Sequence, residues 1–538
     1  MTSFDDARAD FDRWRAGLPP DPFRDDALLG ALLDRHVTGD RRRALDALAS
    51  DFARAVVETV GPRALRYEHR DHLPVPVPYD ALGRRVERIE FDPSYHDAGR
   101  VVWSSGLLEL SATPGRALEQ AVLLYLLSWE GEAGHACPAT CTIGLARALR
   151  RRASAEVAAR FLPALATSAY PPARGAQFLT EVQGGSDVGA NATLAVDLGD
   201  GTFAISGEKW FCSVADADQF LVTARVSDAP GTSGLGCFVV PREIDGRPNG
   251  FRLRRLKEKL GTRGLASGEI DFEEARAWPI GPVEEGFRTA VGVLNTSRWM
   301  TAVGASGIMW RAESEARAYA RARRAFGRPI GEFPAVQRTL AHLGAARAGA
   351  LALVVELSAL EDRLDAGTAD EDDVLVHRLL VNLAKFVTTR QATVAVRDAI
   401  EILGGNGTIE EFSILPRLYR DAIVYESWEG THNVLVAQVL HDLARLPLLD
   451  ALDRRVDAWR GDDPLEVRRR LSVAMTGLRR AAADLDEGAW SGRPLLEELG
   501  RLIEVVLLAG VAPARAALLL GESHDERDLV LAALAETA

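Results

Sequence analysis

The 538-residue chain has only four cysteines, no internal repeat, no long low-complexity tract and no apolar run approaching membrane-spanning length. Four thiols in so long a chain cannot build a disulfide framework. A membrane helix needs roughly 20 consecutive apolar residues, so none is expected. The N-terminal stretch MTSFDDARADFDRW is acidic and polar, unlike a signal peptide, and a cytoplasmic protein is expected. Positive charge is short as well. A formal net charge of −13 and a pI near 5.4 argue against a general nucleic-acid-binding surface, while leaving room for a local basic patch. The one cluster with metal-ligand character is His135, Cys137 and Cys141. No second ligand pair accompanies it, and Pro138 opens a helical pattern, so a helix start is the better reading and no metal is expected.

What is present is ordinary globular composition, 47% apolar and 26% charged. The length exceeds what one core can hold, and several structural units are expected. Residues 1–175 read as a helical domain, because DALLGALLDRHV, RRALDALASDFARAVVETV and ALEQAVLLYLLSWEGEA carry apolar residues at three- and four-residue spacing. Inside it, HLPVPVPYDALGRRVERIEFDPSYH reads as a loop with a short hairpin. Residues 176–285 change character. TLAVDLG, TFAISGEKWF, QFLVTARV, LGCFVVP, FRLRRL and GEIDFEEARAWPI are six short β-branched or aromatic runs, predicting a compact β domain. Helical periodicity returns over 286–445 as a bundle, and an additional helical domain follows over 446–538, with Pro464 and Pro494 as expected helix starts. That tail holds 17 acidic and 12 basic residues, so its Arg468–Arg470 and Arg479–Arg480 clusters read as a solvated face.

Five segments carry chemistry. In FLTEVQGGSDVGANAT, Gly184 and Gly185 leave backbone amides accessible while Thr180 and Ser186 offer hydroxyls, which suits a phosphate or a flavin edge; a Gly-rich turn between helix and strand is the plain alternative. In EKWFCS, Phe211 and Ser213 are two apart and share one side of a strand. They could stack on and hydrogen-bond a flat ring, or Phe211 could simply fill a core. Arg323, ahead of Phe326-Gly327 at a helix end, offers a fixed guanidinium suited to pyrophosphate. Three glycines in four residues, 404–407, either let backbone approach a ligand or make a turn. Last, Glu429 in Trp-Glu-Gly-Thr sits between two helical runs. Projected into a desolvated cavity, such a carboxylate becomes a better base at neutral pH; at the start of a helix it merely meets the dipole.

In this order, TEVQGGSD, KWFCS, RRAFGRPI, LGGNG, and RLYRDA with WEGT resemble the acyl-CoA dehydrogenase family of flavoenzymes over residues 100–445. The segments 79–96 and 136–142, Trp428 and the tail resemble its AidB-like branch, which is linked to the response to alkylation. The resemblance implies a helical N-terminal domain, a central β-barrel, a helical bundle and a C-terminal helical extension. It implies FAD as cofactor and an acyl thioester, on CoA or carrier protein, as substrate. Electron-transfer flavoprotein or oxygen would be the acceptor, in a homotetramer sharing FAD across subunits. Glu429 is then the base removing the pro-R α-proton, with Arg298 close to it, although an ion pair on a helix face remains open for Arg298. Thr180 and Ser213 would hydrogen-bond the flavin ring, Phe211 would lie against it, and Ser186 would sit near pyrophosphate or substrate. Arg323, Phe326, Glu401, Gly404 and Gly405 would reach a neighbouring subunit's FAD, and Thr431 and Asn433 would contact the cofactor. Pro334, Glu401 and Asn295 depart from residues common in the family, which bears on the adenine-end contacts. An AidB-like DNA-associated protective protein and a flavin oxidase or monooxygenase on the same fold are the competing expectations, nucleic acid being disfavoured by the acidic tail.

Overall fold

The computed structural model describes residues 4–459, 465–521 and 526–536, and the chain divides into two compact units. One comprises Glu58–Arg116 and Glu132–Met300; the other comprises Met1–Val57, Ala117–Gly131 and Thr301–Ala538.

The first of these carries the β structure. A hairpin of β1 (Val75–Tyr79) and β2 (Arg85–Glu90) occupies the Pro-spaced segment, as its alternation predicts. The six short runs all become strands: β4 (Leu194–Asp197), β5 (Phe203–Ser213), β6 (Gln219–Arg225), β7 (Leu235–Pro241), β10 (Phe251–Leu256) and β11 (Ser267–Pro279). A short parallel strand, β3 (Gly175–Phe178), pairs with β6. At four residues it is too short for alternation to announce it. A minor hairpin, β8 (Glu243–Ile244) and β9 (Arg247–Pro248), separates β7 from β10. Pairing runs β11–β5–β4–β6–β7 and returns to β11, closing a five-stranded barrel with β10 and β3 alongside. Closure consumes the strand edges that would otherwise invite pairing with another chain. The inward positions of β5, Ile205 and Cys212, are wholly buried, and every residue of β7 is buried.

The other unit is helical. Its core is built from the long helices Pro334–Ala366 and Glu371–Leu403, joined through Gly367, which ends the first in the left-handed region, and Asp370, which caps the second. Helix Pro334–Ala366 overturns one expectation: it is long and apolar enough to cross a membrane. In that apolar window 94% of the residues are buried inside the protein, so its hydrophobicity serves a protein core. Among the described residues the tail forms five helices, Leu448–Trp459, Leu465–Ala483, Leu485–Leu508, Pro513–Leu520 and Glu526–Ala535. Pro494 does not start one of them. It lies inside Leu485–Leu508, whose start is set earlier by Asp484 accepting from the Glu487 amide, with Asp486 and Glu487 favoured in the first turn. Pro464 lies outside the described residues.

Candidate active site

Helix Leu415–Ser427 ends at Trp428, whose amide still bonds the Val424 carbonyl, and helix His432–Leu443 begins after Thr431. Between them the chain reverses through Glu429 at φ 55° and Gly430 at φ 101°. A left-handed conformation costs a non-glycine residue about 1–2 kcal/mol, so the turn needs outside support. Glu429 is half-buried and stands ahead of the first turn of the following helix, where the dipole reading would have placed it. Trp428 stacks on the buried Tyr425, centroids 5.0 Å apart. Glu426, one turn back, accepts from Thr393 and lies 2.8 Å from His432 Nε2. Burial alone would raise the Glu426 carboxyl, but those two partners carry it below its ordinary value. Thr431 and Asn433 are exposed on the same turn, and Thr431 does not cap the helix with its hydroxyl.

Two further segments lie together in this unit. Arg323 ends helix Gly286–Ala322, its guanidinium 5.7 Å from the Phe11 ring centre, and its carbonyl accepts from the Ile330 amide across the hairpin Arg324–Pro329. Phe326 and Gly327 form the hairpin tip at φ 50° and 86°, and Phe326 is 97% exposed. The glycine loop after helix Glu371–Leu403 is tied to the same helix end by Asn406, which donates to the Tyr319 hydroxyl at 3.1 Å. Glu401, Gly404 and Gly405 are exposed at this edge.

In the barrel unit, the Trp210 amide donates to the Thr180 carbonyl at 2.9 Å, bringing the Gly-rich loop onto β5. A Cβ at Gly185 would come within 2.5 Å of the Thr180 hydroxyl, so glycine is required for that approach. Ser186 is exposed in the same loop. Cys212 points into the barrel, whereas Phe211 is 53% exposed. Core packing is therefore not the role of Phe211. Ser213, on the same strand side, lies 3.1 Å from Ser267 Oγ. Arg298 is buried on helix Gly286–Ala322 with Nη1 3.5 Å from Asn295 Oδ1, too long for a strong bond, and it does not lie on an exposed helix face. Cys137 and Cys141 are thiols 3.8 Å apart at the start of helix Ala136–Arg152; their mutual bond, with burial, keeps Cys137 protonated.

Three family models match the chain: "Adaptive response protein AidB N-terminal domain" over residues 19–172, "Acyl-CoA dehydrogenase, middle domain" over 176–275, and "Acyl-CoA dehydrogenase, C-terminal domain" over 284–444. The chain is 35% identical over 379 residues to the putative acyl-CoA dehydrogenase AidB of Escherichia coli K12, covering 68% of each. It belongs to the acyl-CoA dehydrogenase family. The crystal structure of Caenorhabditis elegans ACDH-11 in complex with C11-CoA is similar at TM-score 0.86 and 27% identity, over 95% of this chain and 90% of that one. An acyl-CoA dehydrogenase from Bacillus anthracis complexed with FAD shares the fold at TM-score 0.70 and 20% identity, over 94% and 87% of the two chains.

Motif reading passed over residues that this acyl-CoA dehydrogenase places beside those motifs. All four of its lysines are among them, against 60 arginines. Lys209 is wholly buried and bonds Glu181 at 2.8 Å beneath the Gly-rich loop. Glu181 also accepts from the Ala192 and Thr193 amides; burial opposes its charge, but Lys209 and these bonds hold it ionised. Lys257 lies 3.6 Å above the Trp210 ring and 4.8 Å from that of Phe211. Lys259 bonds Ser267, the neighbour of Ser213, at 3.0 Å. Lys385 reaches the Glu429 turn. The signal was compositional: four lysines stand out against 60 arginines.

Proposed function

We propose that this acyl-CoA dehydrogenase is FAD-dependent and oxidises the α,β-bond of an acyl thioester, with Glu429 removing the α-proton. The carrying observation is the backbone of Glu429, a carboxylate-bearing residue in a strained left-handed turn between two helices. Strain of this kind persists where the surroundings over-determine it and clusters at reactive sites. The barrel residues fit a flavin: an exposed aromatic, Phe211, beside the hydroxyls of Ser213 and Thr180, suits a flat ring with polar edges. Arg323 and the open backbone of Gly404 and Gly405 fit the phosphate-bearing end of a neighbouring subunit's FAD. When bound, FAD accepts the β-hydrogen as hydride. The α-proton is only weakly acidic, so a donor to the thioester carbonyl is required besides the base, and the Glu429 amide supplies it in this reading. The exposed Phe326 tip supports a homotetramer in which the hairpin meets a neighbouring subunit's FAD. Electron-transfer flavoprotein or oxygen takes the electrons.

The test is anaerobic mixing with straight-chain acyl-CoA thioesters, C11-CoA first because the nematode relative was crystallised with it. Flavin bleaching is expected, and Glu429→Gln should keep FAD but slow bleaching by about 10²–10⁴, the contribution of a positioned base. Reduction of Glu429→Gln as fast as wild type refutes the assignment. A second reading, an AidB-like DNA-associated protein, has the N-terminal family match in its favour. Against it, tail arginines are engaged: Arg468 with Asp457, Arg470 with Glu498 and Arg479 with Asp450. Salt-dependent binding of duplex DNA at physiological ionic strength would support that second reading.

A further inference from the structure

Lys385 supports the Glu429 turn from beneath. Lys385 is wholly buried on helix Glu371–Leu403, and its ammonium donates at 2.8 Å to the Glu426 carbonyl and at 2.8 Å to the Gly430 carbonyl. Those carbonyls bracket the base, three residues before it and one after. Glu426 belongs to the last turn of helix Leu415–Ser427, where carbonyls lack intrahelical partners and a cation is favoured by the dipole. Gly430 follows the left-handed residue and leads into the next helix. One ammonium thus joins the end of one helix to the far side of the turn, with Glu429 between the two contacts.

A second tie comes from the same helix. Thr393 lies eight residues after Lys385, on the same face, and bonds the Glu426 carboxylate, which also reaches His432 on the following helix. Phe386 packs edge-on against His432, with centroids 5.3 Å apart. Neither of these contacts touches a carbonyl of the turn itself. Lys385 joins backbone carbonyls on both sides of the reversal through one compact ammonium.

We propose that Lys385 is a positioning residue for the catalytic base: it holds the backbone of Glu429 in the left-handed conformation that aims its carboxylate. The proposal rests on the reading of Glu429 as the base. A displacement of about 1 Å in such a group can cost on the order of 10² in rate.

The experiment compares purified flavoprotein of wild type, Lys385→Met, Lys385→Arg and Glu429→Gln. Bleaching by C11-CoA is measured anaerobically across pH, alongside hydrogen exchange of the peptide covering residues 424–434. Lys385→Met should slow bleaching at saturating thioester by about tenfold to a hundredfold, with half-saturation changed less than about threefold. Its exchange should rise in that peptide while the barrel peptides stay unchanged, and Lys385→Arg should recover only part of either. A bleaching rate within about twofold of wild type in Lys385→Met overturns the proposal, as does an unchanged exchange pattern. If Lys385→Met yields no flavoprotein, Lys385→Gln, which can serve one carbonyl, is read against the same thresholds. Failure of both to fold also overturns it, because Lys385 is then an element of folding. The two readings fail separately: full activity in Glu429→Gln removes the base, whereas inactive Glu429→Gln beside fully active Lys385→Met removes only the brace.

Discussion

Glu504 offers the sharpest test of the helical unit. It lies wholly buried on helix Leu485–Leu508, with Gln391 Nε2 donating to its Oε2 at 2.9 Å and no partner for its Oε1 among the described residues. Gly349 of the core helix stands so close that a Cβ there would meet Oε2 at 2.9 Å. Burial pushes its carboxyl up to about 8, with Gln391 and Arg501 opposing, from an ordinary 4.5. The neutral acid is therefore the form that suits the fold. In the unfolded chain the group ionises above its ordinary value, so stability is greatest below that value. It falls as pH rises and is fully lost once pH passes the folded value. At about 1.4 kcal/mol per unit, the rise corresponds to an upper bound of about 5 kcal/mol. Glu504→Gln replaces the acid with a permanently neutral shape. Chemical denaturation should find the two proteins similar near about pH 5 and the variant more stable by about 2–5 kcal/mol near about pH 9. A difference that does not change with pH, or a wild type favoured at alkaline pH, refutes the reasoning.

Other expectations follow from the same structure. Lys209→Met strands Glu181 as an unpaired buried carboxylate and should destabilise the barrel unit by about 3–5 kcal/mol, read by chemical denaturation; Lys209→Met with Glu181→Gln should recover part of the loss. Gly185→Ala forces the Thr180 hydroxyl aside and should weaken FAD binding by about tenfold in a fluorescence titration of the apoprotein, about 1.4 kcal/mol. Phe326→Gly relieves a left-handed phenylalanine that touches little in its own chain, so melting should not fall, while sedimentation should show a weakening of the proposed homotetramer.

Strand existence was legible because short β-branched and aromatic runs such as TFAISGEKWF and QFLVTARV are set off by Gly, Asp and Pro. Closure of the barrel was legible only through the family resemblance, since it depends on β11 being long enough to pair with β5, β10 and β7 at once. The Glu429 motif was legible through its order among the others, but its backbone angle was not: glutamate carries no preference for φ 55°, and the support comes from Lys385, 44 positions earlier. Pro494 misled because a proline was given more weight than the Asp484 cap ten residues before it. Helix Pro334–Ala366 hid its apolar length behind Arg347 and Glu356, two charges that the fold buries.

The four lysines carry one more consequence. Acyl thioesters transfer their acyl groups to free amines, and in most proteins exposed lysines are the targets. Here every lysine is buried or half-buried and held by carbonyls, carboxylates or aromatic rings, while the outer charge is guanidinium, a far poorer nucleophile at neutral pH. A protein proposed to spend its working life beside reactive thioesters thus offers them no exposed side-chain amine to modify.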